Sequence, residues 1–344
     1  DGATHAAEGY TRVIGKAGVC FATSGPGATN LVTGIADAMM DSIPMVCITG
    51  QVAAHLLGSD AFQEADVIGI TTPITKWNYQ ITKAEEIPSI LKKAFFIANH
   101  GRPGPVVIDI TKNAQIESLD FEYPKSISLH KFNIDQHPDK KQIEKAASWI
   151  NEAKRPYLLI GHGVLISKAE KQVLKMMKKG NIPGAVTLHG LSAIPCDHPL
   201  YVGMLGMHGN LGPNIQTNKA DVIMALGMRF DDRVTGKLTH YAPNAKIIHI
   251  DIDVSELNKN VKAHIAIKAD IKQAILNMLP HIVKKNRSTW IRAFAENKKK
   301  ELQAAKNRNA SRKEGIRMNE VVSTLSDLTS GNAIVVADVG QNQM

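Results

Sequence analysis

The pattern that most restricts what this chain can fold into is the repeated succession of a short apolar run, a glycine-containing turn and a stretch with apolar residues at helical spacing. Strands buried on both faces, alternating with helices, are the signature of βαβ units and a parallel sheet, so the fold class is α/β. Val19 to Ser24 reads as a buried strand that enters Gly25-Pro26-Gly27, and Ala28 to Met40 as the helix after it. Further strands are expected at Met45 to Thr49 and Pro105 to Ile110, with an amphipathic helix from Glu85 to Asn99 between them. From about 113 to 138 the periodicity fades around Pro124 and Pro138, as in a surface connector.

A second series follows. Helices are expected at Lys140 to Lys154, at Ser167 to Lys179 with Ser167 as N-cap and Gly180 as stop, and at Lys272 to Lys285. Strands are expected at Tyr157 to Ile160, Gly184 to Leu188, Asp221 to Leu226 and Lys246 to Ile252, and another ends at Asp270. Beyond these, Asn319 to Leu328 reads as helical and Ala333 to Ala337 as a strand, the opening of a further α/β domain. The 344 residues suit two domains and part of a third. Because the first residue is Asp1, the chain is expected to be a piece of a longer one.

The net charge of +9 raises the question of nucleic acid, but the excess is local: 12 Lys or Arg and 3 Glu lie between Lys284 and Arg317, and the remainder is neutral. A solvated helical face or linker explains such a run, and no RNA-recognition aromatics accompany it. Cys20, Cys47 and Cys196 lack metal-ligand spacing and suit a reducing, cytoplasmic setting. No apolar run is long enough for a membrane helix, and no signal peptide is recognised.

Ligands of open parallel sheets bind beyond the carboxyl ends of strands, which singles out several loops. Ser24 to Asn30 combines glycines with the start of a helix; a tight turn without a ligand is the alternative. Gly161-His162-Gly163 is an incomplete dinucleotide loop. Gly227 to Arg233 sets two arginines and two aspartates after a buried strand, where Arg can fork onto phosphates and carboxylates can take ribose or ribitol hydroxyls; a surface ion-pair cluster is the alternative. Asp251 and Asp270 end strands, and Leu205 to Gly209 adds a flexible backbone with His208. The second domain therefore reads as a nucleotide-type cofactor binder whose chemistry spacing alone leaves open.

Taken together, Ser24-Gly25-Pro26-Gly27-Ala28-Thr29-Asn30, Gly58-Ser59-Asp60-Ala61-Phe62-Gln63-Glu64, Gly101 to Val106, Leu205 to Gly209 and Arg229-Phe230-Asp231-Asp232-Arg233 resemble the catalytic large subunit of acetolactate synthase, in collinear order along the whole chain. That family, also called acetohydroxyacid synthase, uses thiamine diphosphate, Mg2+ and FAD. The resemblance implies a pyrimidine-binding domain at 1–118, a linker at 119–138, a Rossmann-like FAD-binding domain at 139–283, a basic linker at 284–318 and the start of the diphosphate-binding domain at 319–344. It implies that Pro26 and Asn30 lie near the thiamine pyrimidine, that Phe62 and Gln63 face the reacting carbon, and that Lys112 stands near the active-site entrance. Arg102, Gly161, Gly163, Thr187, Leu188, Gly206, Met207, His208, Gly227, Arg229, Asp231, Arg233, Asp251, Ile252 and Asp270 match FAD-contact positions, as does Asp41 from a neighbouring loop. Gln341 and Asn342 match the start of the diphosphate site.

Three departures stand out. The family's activating glutamate falls just before Asp1, and the sequence contains no Gly-Asp-Gly metal motif, so no metal ligand is assigned and this chain alone is expected to be inactive. His162 and His189 stand where the family usually has smaller or apolar residues. The implied reaction decarboxylates pyruvate and joins the two-carbon unit to pyruvate or 2-ketobutyrate, the first common step of branched-chain amino-acid biosynthesis, with a structural flavin. The implied assembly is a homodimer or larger, open to a regulatory small subunit, with no nucleic acid and no membrane. A related thiamine-dependent decarboxylase or oxidase, the FAD-free catabolic synthase, or a non-catalytic nucleotide-binding module are the alternatives.

Overall fold

A computed structural model describes residues 1–126, 137–310, 315–337 and 340, with the backbone only at 308–310. The chain divides into two compact units, residues 1–135 and 136–344.

The first unit is built on a four-stranded parallel sheet in the order β1-β2-β4-β3, comprising β1 Gly18–Ala22, β2 Met45–Gln51, β3 Trp77–Ile81 and β4 Pro105–Thr111. All seven residues of β4 are buried, as a central parallel strand requires. Alternate side chains leave on opposite faces. Met45, Cys47 and Val107 pack with Ala7, Leu31 and Ile35 on one side. Val46, Val106 and Ile108 pack with Ala94 and Ile97 on the other. The first layer comes from α1 Gly2–Ile14 and α3 Val32–Asp41, the second from α5 Ile87–Asn99. Short helices α2 Pro26–Thr29, α4 Val67–Thr71 and α6 Lys112–Ile116 follow strand ends or link elements.

Three local expectations change. The helix after Gly27 is broken at Asn30 into α2 and α3. Residues Ala84–Glu86 form a 3-10 turn before α5, because Pro88 lacks an N–H and is suited to a helix's first turn. Strand β3 was missed: Trp77-Asn78-Tyr79-Gln80-Ile81 is half-buried at a sheet edge and lacks a continuous apolar run.

The second unit carries six parallel strands in the order β10-β9-β8-β5-β6-β7. They are β5 Pro156–Ile160, β6 Gly184–Val186, β7 Tyr201–Met204, β8 Val222–Leu226, β9 Lys246–Asp251 and β10 Ile265–Lys268. The chain winds outward from β5 to β7, returns to pair β8 with β5, and winds the other way. This doubly wound order places a topological switch between β5 and β8. Helices α7 Lys140–Glu152, α8 His162–Ile166, α9 Glu170–Gly180, α10 Leu211–Thr217, α11 Asp232–Thr235 and α12 Ile271–Met278 surround the sheet. Ala146, Val173, Met176 and Ile275 cover one face of it.

The expected start of α9 moves, since Ser167 ends α8 and Ala169 precedes α9. Asn181, in the left-handed conformation, takes the capping place assigned to Gly180. Pro280 turns the end of α12 into a 3-10 segment, Leu279–His281. The basic stretch is not a bare connector. It contains α13 Ser288–Ala310, whose Trp290 and Phe294 are buried against Tyr157 and Leu159 on the second face of the sheet. Trp290 Nε1 donates to Pro156 O at 2.8 Å, while Lys298, Lys299 and Lys300 are exposed as a solvated face requires. Helix α14 Met318–Leu328 is present, but residues 332–337 form no strand and Ile334 to Val336 are exposed. Among the described residues no strand lies beside them, and an extended run without a neighbour has nothing to pair its backbone groups.

Arg287 joins the start of α13 to the sheet layer. Its buried guanidinium donates to Gly180 O at the end of α9 and to Ile150 O, 2.6 Å away, at the end of α7. A cation over two helix C-termini meets carbonyls that have no partner within their helices. Burial lowers its pKa, and Asp221 acts in the opposite direction. Arg287→Met keeps the apolar stem and strands those carbonyls, so it should cost about 3 kcal/mol, read as a lower urea midpoint.

Candidate functional sites

In the first unit a cleft of about 900 Å3 opens at the carboxyl ends of β1, β2 and β4. Phe21, Ile48, Ile110 and Ile116 give it apolar walls, and Ser24, His55, Asn113 and Gln115 polar ones. Phe62 and Lys112 both line it. Phe62 is 89% exposed, a large apolar ring that stands at the cleft rather than in the core. Gln63 does not line the cleft, but its backbone packs on Gly25, where an added Cβ would lie 2.9 Å from Gln63 Cα. The Ser24–Asn30 and Gly58–Glu64 loops therefore meet, with Pro26 exposed at the start of α2 and Asn30 exposed at its end.

The loop carrying Phe62 has an unusual backbone, with Gly58, Asp60 and Gln63 all at positive φ. Glu64 holds it by accepting from Gly58 N and from Ala61 N at 3.0 Å, and these amide bonds keep its carboxyl below the usual range. A non-glycine residue such as Gln63 in this region persists only where its surroundings fix it. Below the loop, Asp109 is fully buried in β4 and accepts hydrogen bonds from Thr49, Gln51 and Gln80. The sequence reading missed this cluster. Its signal was a carboxylate inside the apolar run Val106 to Ile110.

Asp41 and Arg102 share another corner of the first unit. Arg102 Nε donates to Ser42 Oγ at 2.8 Å, and Arg12 Nη2 lies 2.5 Å from Asp41 Oδ2. Burial pulls the Arg12 pKa down, but its bonds to Asp41 and Glu8 outweigh that and raise it.

In the second unit the loops after β5 and β8 cross at the switch point with no side chain between them. Gly163 N donates to Gly227 O at 3.0 Å; a Cβ on Gly161 would sit 2.1 Å from Gly227 O, and one on Gly163 would sit 2.7 Å from Gly227 Cα. Gly227 has a φ of 57°. The Gly206 loop is tied to the same place, with Met207 N donating to Arg233 O at 2.7 Å and Asn214 accepting from Gly206 N. The structure thus gathers Gly161, Gly163, Gly206, Met207, Gly227, Arg229 and Arg233 around the carboxyl ends of β5 and β8.

Their individual roles differ. Arg229 is half-buried and makes no hydrogen bond or ion pair among the described residues, so its guanidinium can serve a ligand. Arg233 and Asp232 form only an exposed ion pair at 3.8 Å. Asp231 and Asp270 cap α11 and α12, Thr187 accepts from Gly190 N, and Asp251 accepts from Asp253 N. Leu188, Met207 and His208 are exposed, Ile252 is half-buried, and the rings of His162 and His189 lie 5.8 Å apart at the ends of β5 and β6. Gln341 and Asn342 lie outside the described residues.

The buried His249 supports the Arg229 turn and was not singled out from the sequence. Its Nε2 lies 2.9 Å from Met228 O, which fixes the proton on that nitrogen, and its ring meets the edge of Phe230. Phe230 holds a φ of 50°, a conformation that an aromatic residue adopts only under constraint. Tyr241 packs on its ring, and Asn260 donates to its carbonyl.

Two family models match this chain: the N-terminal TPP binding domain of thiamine pyrophosphate enzymes at residues 1–70, and the central domain of the same enzymes at residues 143–279. The chain belongs to the thiamine pyrophosphate enzymes. Along its length it is similar to acetolactate synthase large subunits. It is 45% identical to the probable acetolactate synthase large subunit of Methanocaldococcus jannaschii over 99% of this chain, and 44% identical to the acetolactate synthase large subunit of Corynebacterium glutamicum over 100%. It is also 42% identical to acetolactate synthase 1, chloroplastic, of Nicotiana tabacum over 100% of this chain. The chain spans 59%, 55% and 52% of those relatives. Among the described residues no helix is long and apolar enough to cross a membrane.

Two predictions follow from the switch-point geometry. Gly163→Ala forces the β5 and β8 turns apart and should cost about 3 kcal/mol or more by urea unfolding, whereas the same change at the open Gly236 costs less because only its positive φ is violated. Burial pushes the His249 pKa down to about 4, against 6.5 for an unconstrained imidazole. Between those values the unfolded chain binds the extra proton and the folded one does not, so stability falls as pH drops from 6.5 toward 4. The loss approaches about 3 kcal/mol at the acid end, and His249→Gln, which retains a donor for Met228 O, should flatten that part of the urea-unfolding pH profile.

Proposed function

We propose that this chain is the thiamine-pyrimidine-binding and flavin-binding portion of an acetolactate synthase large subunit. The observation carrying the reading is the match to such subunits over virtually the whole chain, with its motif residues gathered at two strand-end sites. Residues 1–118 are assigned to the pyrimidine site, 139–283 to FAD, and 319 onward to the opening of the diphosphate domain. The reaction proposed for the whole protein is decarboxylation of pyruvate followed by condensation with pyruvate or 2-ketobutyrate, giving 2-acetolactate or 2-aceto-2-hydroxybutyrate. The large-subunit names of the relatives support a small regulatory partner. A homodimer or larger assembly in the cytoplasm completes the proposal.

The cleft's size and exposed Phe62 suit a planar heteroaromatic ligand. Thiamine diphosphate, when bound, supplies the electron sink for loss of carbon dioxide from a 2-ketoacid. Phe62 excludes water from the reacting face, Gln63 offers an amide hydrogen bond, and the Lys112 ammonium draws the substrate carboxylate to the rim. Pro26 and Asn30 hold the pyrimidine. Among the described residues no carboxylate lines the cleft, so none of its lining side chains is a carboxylate ligand for Mg2+.

The crevice between β5 and β8 suits FAD because the glycine crossing leaves bare backbone and Arg229 has no protein partner among the described residues. Arg229 and Arg233 would hold the diphosphate, Asp231, Asp251 and Asp270 would accept from the cofactor's hydroxyl or amine groups, and Gly206, Met207, His208, Thr187, Leu188 and Ile252 would border the ligand. Arg102 and Asp41 are proposed flavin contacts through the family resemblance alone. The role of the flavin is structural. FAD titrated into the chain should bind with quenched flavin fluorescence, and Arg229→Ala should weaken it about tenfold or more, the worth of a charge-assisted contact. In the full-length protein, pyruvate turnover should appear as acetoin after acid treatment. Absence of both flavin binding and acetolactate formation overturns the reading.

A further inference from the structure

Thr49, Gln51 and Asp109, all buried, and the half-buried Gln80 form a polar cluster at the carboxyl end of the first sheet; none was assigned above to a ligand, although Thr49 and Gln51 also line the cleft. Thr49 and Gln51 lie on β2, Gln80 on the edge strand β3, and Asp109 on β4 between them. Thr49 Oγ1 donates to Asp109 Oδ1 at 2.7 Å. Gln80 Nε2 and Gln51 Nε2 donate to Asp109 Oδ2 at 2.9 and 3.1 Å. Backbone ladders already join these strands, so the cluster is not needed to pair them.

The orientation of Gln51 is determined by its backbone partners. Val52 N–H can only donate, and it reaches Gln51 Oε1 at 2.9 Å; Ala65 O can only accept, and it receives Gln51 Nε2 at 2.8 Å. The amide therefore cannot be turned over without losing both bonds. Its second Nε2 hydrogen faces Asp109. A carboxylate is the one side chain of this size that accepts without donating, so it satisfies all three converging donors at once. An asparagine could keep both glutamine bonds only by turning its NH2 to the Thr49 hydroxyl, which would then accept, whereas an apolar residue there leaves the donors unpaired. Burial raises the Asp109 carboxyl pKa, with its three donors opposing that rise, so its burial carries a cost that those bonds offset in part.

Ala65 ends the loop that carries Phe62 and Gln63. At the other end, Ala54 N donates to Asn113 Oδ1 at 2.9 Å. Glu64 ties the middle together, but its bonds to Gly58 N and Ala61 N stay inside the loop. Gln51 is thus the side-chain tie between the far end of the loop and the sheet.

We propose that Asp109 and Gln51 are positioning residues: Asp109 locks the Gln51 amide, and Gln51 fixes the 58–66 loop so that Phe62 stands in the cleft and Gln63 rests on Gly25. The role of Phe62 and Gln63 in the reaction rests on the function proposed above; the order of their loop does not.

Amide hydrogen exchange by mass spectrometry on this chain tests the tie directly. Gln51→Met, close in size but unable to bond, should speed exchange at residues 58–66 about tenfold while β2, β3 and β4 stay within about twofold of the parent. Asp109→Leu, close in size but unable to accept, should act in the same place. Thr49→Val removes a donor from the same carboxylate without touching Gln51, so it should leave the loop unchanged even where it lowers the unfolding midpoint. In the full-length protein, Gln51→Met should lower kcat for pyruvate about tenfold with KM within about twofold, because the rim lysine is untouched. An unchanged loop in a folded Gln51→Met chain overturns the proposal, as does uniform loosening of loop and strands. Loop-specific loosening with no turnover even in the parent protein upholds the tie and counts against the proposed reaction.

Discussion

The second unit depends on one close approach: the turns after β5 and β8 lie against each other through Gly161, Gly163 and Gly227 with no Cβ between them. Parallel strands that wind in opposite directions from a switch point leave a crevice there, and ordinary side chains at these turns would hold the strand ends apart. With the backbones in contact, Gly227 N donates to Ile250 O and Gly161 N to Leu226 O, so the ladder continues into the loops. The Arg229 turn starts from this fixed base. His249 below it and Tyr241 beside it then hold Phe230 in a left-handed conformation that the segment would not keep alone.

A consequence is that carboxylates which look like ligand groups in the sequence are partly engaged in making the site. Asp231 and Asp270 cap helices, and Asp251 accepts from its own turn. A capping Asp uses one oxygen on a backbone N–H, which fixes the direction of its carboxylate and leaves further lone pairs for another donor. Arg229 makes no such commitment among the described residues, which is why it carries most of the weight in assigning an anionic ligand to this crevice.

The α/β class, most central strands and the site-bearing loops were legible because buried parallel strands are continuous apolar runs and their turns need glycine. Val222 to Leu226, all buried, could hardly be read otherwise. Trp77 to Ile81 escaped because an edge strand keeps polar Asn78 and Gln80, each with a specific partner that only the tertiary structure reveals. Helix α13 was hidden by its lysines: Trp290 and Phe294 are one helical turn apart, yet charge dominates the 23-residue segment. Ala333 to Ala337 shows the reverse error, an apolar run whose composition suits a strand but which has no neighbour to pair with among the described residues. Cluster residues such as Gln51 and His249 carry no local sequence signature, because their roles come from atoms 14 and 21 positions away.

The two units solve the same problem of holding a strand-end site in different ways. In the second, backbone touches backbone, and the geometry tolerates no added atom at the crossing. In the first, the loop over the cleft is longer and its ring-bearing residue stands in the open, so its position is set by side chains that reach up from the sheet. A backbone crossing fixes where a ligand lies but leaves little latitude for the groups around it. A loop tied by Gln51 and braced by Glu64 can hold Phe62 in place while the cleft beneath remains large enough to admit a ligand. Under the function proposed above, the rigid crossing would suit a cofactor with a structural role, and the tied loop a site that admits substrate.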